Sequence, residues 1–177
     1  ALAITPAGPG PANDSCAMPM IVPPSPLPQA IAFDNTLAST NGPPEPTCFF
    51  FNTDLFVGDH WFQWVAPANG DFSFSSCGNT TVDTKLAIYA GAGCPTLAPL
   101  DCSDDDCGLQ TRVELIGATM GSTYTLRIAH YPAYPGGQGT VLVENYAPPS
   151  HTDGCSGAGV IDGEGTFAFN NVGATTD

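Results

Sequence analysis

Between His60 and Glu144 hydrophobic and polar residues alternate in short runs. Trp61, Gln63 and Val65 fall on one side of a run and Phe62 and Trp64 on the other. Phe72 and Phe74 alternate with Ser73 and Ser75, and Leu86 and Ile88 with Lys85, Ala87 and Tyr89. The same period recurs at Val113 and Leu115, at Tyr124, Leu126 and Ile128, and at Val141 and Val143. A period of two sends successive side chains to opposite faces of a strand, so one set enters a core and the other meets solvent or a second layer. A further strand is predicted over residues 30–35, and clusters of Gly, Pro, Asn and Asp, such as residues 66–70, separate the runs. Seven short strands with such turns predict an all-β chain folded as an antiparallel two-sheet β-sandwich. Helical spacing never persists beyond a turn or two.

The two ends of the chain copy parts of its middle. Ile31-Ala32-Phe33-Asp34-Asn35 is matched by Phe167-Ala168-Phe169-Asn170-Asn171, and Asn13-Asp14-Ser15-Cys16 by Thr152-Asp153-Gly154-Cys155. Ala1-Leu2-Ala3-Ile4 lines up with Thr140-Val141-Leu142-Val143, and the spacing from Ile4 to Cys16 equals that from Val143 to Cys155. The expected organisation is residues 1–15 as the strand end of a preceding repeat with a Pro/Gly linker, residues 16–147 as the sandwich, and residues 148–177 as a linker and the first strand of a following repeat. Leu2, Ile4, Phe167 and Phe169 are the candidate assembly residues, because each tail reads as a strand without its own sheet.

Charge changes the picture next. Lys85, Arg112 and Arg127 are the chain's three cations, against 17 carboxylates and a net charge of −14. Nucleic acid as a partner is excluded, because phosphate binding needs clustered Lys and Arg. Anionic membrane surfaces are disfavoured for the same reason, and no apolar run approaches the roughly 20 residues of a membrane-spanning helix. No basic segment followed by a long apolar one opens the sequence, which suggests a mature, processed protein.

Seven cysteines stand at Cys16, Cys48, Cys77, Cys94, Cys102, Cys107 and Cys155, none in a C-x-x-C pair. They read as disulfide candidates in an oxidising compartment, with the pairing left open. Cys155 corresponds to Cys16, so its expected partner is the equivalent of Cys48 in another repeat or chain.

Residues 59–77 run Asp-His-Trp-Phe-Gln-Trp-Val-Ala-Pro-Ala-Asn-Gly-Asp-Phe-Ser-Phe-Ser-Ser-Cys, followed by Val82-Asp83-Thr84-Lys85-Leu86-Ala87-Ile88-Tyr89 and by Asp101-Cys102-Ser103-Asp104-Asp105-Asp106-Cys107-Gly108. This succession resembles the bacterial pre-peptidase C-terminal-like domain, in the Cys-rich form found in tandem in large secreted bacterial proteins. The resemblance covers roughly residues 13–145. It implies a jelly-roll-like sandwich in a secreted, non-catalytic module of surface or adhesive proteins. No peptidase segment accompanies it here.

Candidate chemistry is sparse. No G-x-S-x-G, H-E-x-x-H or P-loop is present, so no enzyme is expected. His60 and His130 read as strand-edge histidines bonded locally. Asp101, Asp104, Asp105 and Asp106 form the candidate calcium site, since hard cations take several carboxylate oxygens from a flexible loop. The EF-hand pattern does not fit, with Asp106 where that loop needs Gly and Arg112 where it needs its Glu. A solvated acidic turn is the other reading. Asn13 and Asn79 head N-x-S/T triplets and are candidates for glycosylation. Trp61 and Trp64 read as core, and Tyr131 and Tyr134 as an exposed pair able to stack on sugars.

Two functions follow from these observations. The first is a non-catalytic extracellular or cell-surface structural protein, a subunit joined head to tail to copies of itself, or to adjacent repeats, by β-strand addition. The second is a carbohydrate- or protein-binding sandwich module of a multidomain secreted protein.

Overall fold

The computed structural model describes residues 10–146. It is all-β, with nine strands in two sheets packed face to face. In chain order these are β1 (Met20–Ile21), β2 (Gln29–Asp34), β3 (Val57–Val65), β4 (Gly70–Ser75), β5 (Thr84–Ala90), β6 (Asp101–Asp104), β7 (Arg112–Ala118), β8 (Thr123–His130) and β9 (Gln138–Asn145). One sheet has the order β1-β3-β8-β5-β6 and the other β2-β9-β4-β7. Every pairing is antiparallel except β1 on β3. The compact unit ends at Tyr146.

Alternation decides which side chains meet. Phe62 and Trp64 of β3, Leu86 and Ile88 of β5, and Leu126 and Ile128 of β8 join Ile31, Phe33, Phe72, Phe74, Val113, Leu115, Val141 and Val143 in the core between the sheets. Trp64 lies edge-on to Phe72 and Phe74 at centroid distances of 5.0 and 5.1 Å, and its indole N–H donates to Gln29 Oε1 at 3.0 Å. Each such aromatic contributes roughly 1.5–3 kcal/mol by leaving water.

The residues of opposite parity on β3, β5 and β8 are also buried. Trp61, Ala87, Tyr89 and Ala129 form a second cluster with Cys48 and Phe56, which belong to the segment preceding β3. That segment carries a 3-10 turn at Pro46–Cys48. It is held by a buried polar network centred on Arg127. The guanidinium lies 2.8 Å from Asp59 Oδ2, donates from Nη1 to the Pro43 carbonyl at 2.7 Å, and stacks over Phe56 and Trp61 at 4.6 and 4.9 Å. Tyr89 donates its hydroxyl to Glu45 at 2.9 Å. A side chain on Gly42 would collide with both Arg127 and Asp59.

Three disulfides join Cys16 to Cys94, Cys48 to Cys102 and Cys77 to Cys107. Because Cys16 pairs with Cys94, the expectation that Cys155 seeks a Cys48 equivalent is corrected: by analogy the equivalent of Cys94 is the position to seek. Two strands were missed in the sequence. β1 has two residues in a Pro-rich stretch, and β6 takes up Asp101–Asp104 of the acidic run expected to be a loop. Asn13 and Cys16 pack against the sandwich, so the folded unit begins earlier than residue 16. No helix among the described residues is long and apolar enough to cross a membrane. The disulfides fit a secreted or extracellular protein.

Candidate functional site

Among the described residues β2 pairs with β9 on one side only, and β1 with β3 on one side only. Both sheets therefore end on the same side of the sandwich. At one end of that side the Pro-rich connection of residues 22–28 crosses between the sheets, with Val22 N–H donating to the Gln63 carbonyl at 2.8 Å and Gln29 Nε2 to that of Pro23 at 2.6 Å. At the other end a groove of about 440 Å³ opens between Met20 of β1, Ala32 and Phe33 of β2, His60 and Phe62 of β3, and Gly139 of β9. β2 buries Gln29, Ile31 and Phe33 and exposes Ala30, Ala32 and Asp34. Gly139 is required there, because a Cβ would meet the Phe33 ring at 2.6 Å.

His60 is the unusual member of this groove. It is 2% exposed, and neither ring nitrogen has a hydrogen-bond partner among the described residues. Burial holds its pKa below the usual histidine value, against the pull of the Asp14, Asp34 and Asp59 carboxylates. The expectation of a locally bonded histidine is thus corrected for His60. His130 does bond locally, its Nδ1 lying 3.0 Å from the Tyr131 carbonyl.

The acidic run divides. Asp101 Oδ2 accepts from the Glu114 N–H at 2.6 Å, and Asp106 lies 3.4 Å from Arg112 on the surface. Asp104 and Asp105 turn instead toward Asp83, and the three carboxylates place oxygens within 4.8 Å of one another. The register Lys85↔Asp104 between β5 and β6 brings Asp83 into reach. Asp105 makes the turn in the left-handed region, with φ of 61°. Lys85 Nζ lies 3.8 Å from Asp104 Oδ2, donates to the Thr53 carbonyl at 3.3 Å, and faces the Phe56 ring at 5.1 Å. Burial pushes the Asp83 carboxyl up to about 6, with the Asp105 charge adding to it. Burial does the same to Asp104, up to about 6, against the opposing Lys85. Burial lowers Lys85 itself. Donors that are all carboxylate oxygens suit a hard cation such as calcium. Sequence reasoning missed Asp83, whose one signal was its place just before an alternating strand.

The remaining candidates fall as follows. Asn13 is buried, and its side-chain nitrogen donates to the Trp61 carbonyl at 3.1 Å. That nitrogen is the atom a glycan would need, so Asn13 is corrected from a glycosylation candidate to a structural asparagine. Asn79 is exposed on the turn after β4. Trp61 and Trp64 are core. Tyr131 and Tyr134 lie 6.3 Å apart beside a cavity of about 220 Å³ that Asp83 and Asp105 also line. Leu2, Ile4, Cys155, Phe167 and Phe169 lie outside the described residues. Comparison of the chain with protein-family models, curated proteins and solved structures gave no match.

Proposed function

We propose that this is a non-catalytic extracellular structural protein whose copies are joined by β-strand addition at the open side of the sandwich. The observation that carries this is the groove between two sheet edges that are unpaired among the described residues, with the His60 imidazole, unpartnered among them too, buried beside it. An exposed edge offers main-chain hydrogen bonds to an incoming strand, and alternate pockets select its side chains.

The sequence supplies matching strands. Phe167-Ala168-Phe169 copies Ile31-Ala32-Phe33 of β2, whose first and third residues face the core. Leu2 and Ile4 copy Val141 and Val143 of β9, and β9 is the strand that β2 pairs with. The two tails are thus copies of mutually pairing strands. In the observed register Ile31 opposes Val141 and Gln29 opposes Val143. Carried onto the copies, that register sets Phe167 of one copy opposite Leu2 of the next, and Gly165 opposite Ile4. Pro11 lines the groove, so residues 1–5 lie within chain reach of it at about 3.3–3.6 Å per residue.

Deleting residues 152–177 is expected to abolish association in light scattering while far-UV circular dichroism keeps its β signature. Association of the truncated chain would overturn the proposal. The second reading, a carbohydrate-binding module, is favoured by one observation, the Tyr131–Tyr134 pair beside carboxylates; retention on a glycan array, lost in Y134A, is its test.

A further inference from the structure

Four carboxylate oxygens are buried in one place without a hydrogen-bond partner among the described residues: Asp83 Oδ1, both oxygens of Asp104, and Asp105 Oδ1. Asp83 and Asp104 are 4% and 8% exposed. Buried charge without a partner is costly, and a structure retains it where something compensates. Lys85 offers one ammonium for three carboxylates, at 3.8 Å from the nearest and already donating to Thr53. Asp101 and Asp106, by contrast, have partners of their own. The unmet demand is confined to the three converging residues.

We infer that Asp83, Asp104 and Asp105 form a calcium site, completed by water from the adjoining cavity. The carboxylate oxygens all lie within 4.8 Å of one another, close enough to share one ion. Calcium takes about six to eight oxygen ligands in flexible geometry and suits a turn with open water positions, whereas magnesium demands a near-ideal octahedron. Zinc would want nitrogen or sulfur, and the cluster has neither. The cavity of about 220 Å³ gives the ion a path in and room for its remaining water ligands. The site lies in the turn that carries Cys107, so the ion and the Cys77–Cys107 disulfide fasten the same end of β6.

The test uses the full disulfide-bonded chain freed of metal with EDTA. Calorimetric titration with calcium chloride is expected to give one ion per chain, with a Kd of roughly 10⁻⁴–10⁻³ M, as in extracellular modules. Asp83→Asn and Asp104→Asn are expected to weaken binding at least about tenfold while Asp106→Asn leaves it unchanged, in keeping with the number of charged ligands setting affinity. Terbium in the wild-type chain is expected to luminesce on tyrosine excitation through the nearby Tyr131 and Tyr134, and calcium is expected to quench this by displacement. That readout needs no variant and survives any folding failure. Absence of both heat and sensitised emission up to about 10 mM ion, well above that affinity range, would overturn the inference. So would equal binding by wild type and both variants, or a preference for magnesium.

Discussion

The two sides of the sandwich treat their sheet edges in opposite ways. On one side β6 and β7 are fastened across the gap between sheets: Asp101 accepts from the Glu114 backbone, Thr84 N–H donates to Leu109 O at 2.8 Å, and Cys77–Cys107 ties the turn after β4 to the turn after β6. On the other side, among the described residues, β1 is two residues long, β2 has a bare edge, and His60 keeps both nitrogens unbonded beside a groove. A sheet edge is a template for further pairing, and proteins usually blunt it. Here one edge is tied covalently and the other is bare among the described residues, so the asymmetry is directional: a crosslink on one side and the proposed attachment on the other.

That contrast can be broken at four points. The largest effect is expected at the fastened side. Replacing Cys77 and Cys107 together with serine releases a crosslink of sequence separation 30 and should cost about 3–4 kcal/mol by loop-closure entropy, read in urea denaturation. A cost near zero would mean that the fastened side is not where stability resides.

The next effect is electrostatic. Asp83 and Asp104 are more easily protonated folded than unfolded, so their contribution is full below about pH 4 and is lost as pH rises through about 6. Asp105 and Lys85 are the charged groups facing them. Protonation of buried His60 is disfavoured in the fold, so it pulls stability the other way as pH falls. The fall is therefore expected as the difference between wild type and D83N in EDTA, and calcium should erase it.

At the open side, Ala32→Lys places a charge on the bare edge. It should change stability by no more than about 0.5 kcal/mol, as exposed substitutions do, yet abolish association. Loss of folding rather than association would show that this edge supports the core. Smallest of all, Arg112→Ala removes exposed ion pairs to Asp106 and Glu114 and should cost less than about 1 kcal/mol.

The sandwich was legible because most of its strands turn one face to the core between the sheets, which leaves a period-two signature. Phe62 and Trp64 against Trp61 read correctly as two facings, and both are buried because β3 has a layer on each side. What the sequence hid is non-local. Cysteine pairing follows sheet order, which spacing does not encode. Asp83 meets Asp104 and Asp105 only once β5 and β6 pair in register. Asn13 carries a modification triplet, but its amide serves the Trp61 carbonyl. His60 was misread because nothing local announces that a buried ring lacks partners.

The burial of Lys85 and Arg127 has a consequence for survival outside a cell. A protease that cuts after basic residues finds three candidate bonds in the whole chain. Two of those side chains are sealed, at 0% and 1% exposure, and the third, Arg112, is exposed at the start of edge strand β7. Trypsin-like digestion of the native protein is therefore left with one accessible site, and cleavage after Lys85 or Arg127 has to wait for unfolding.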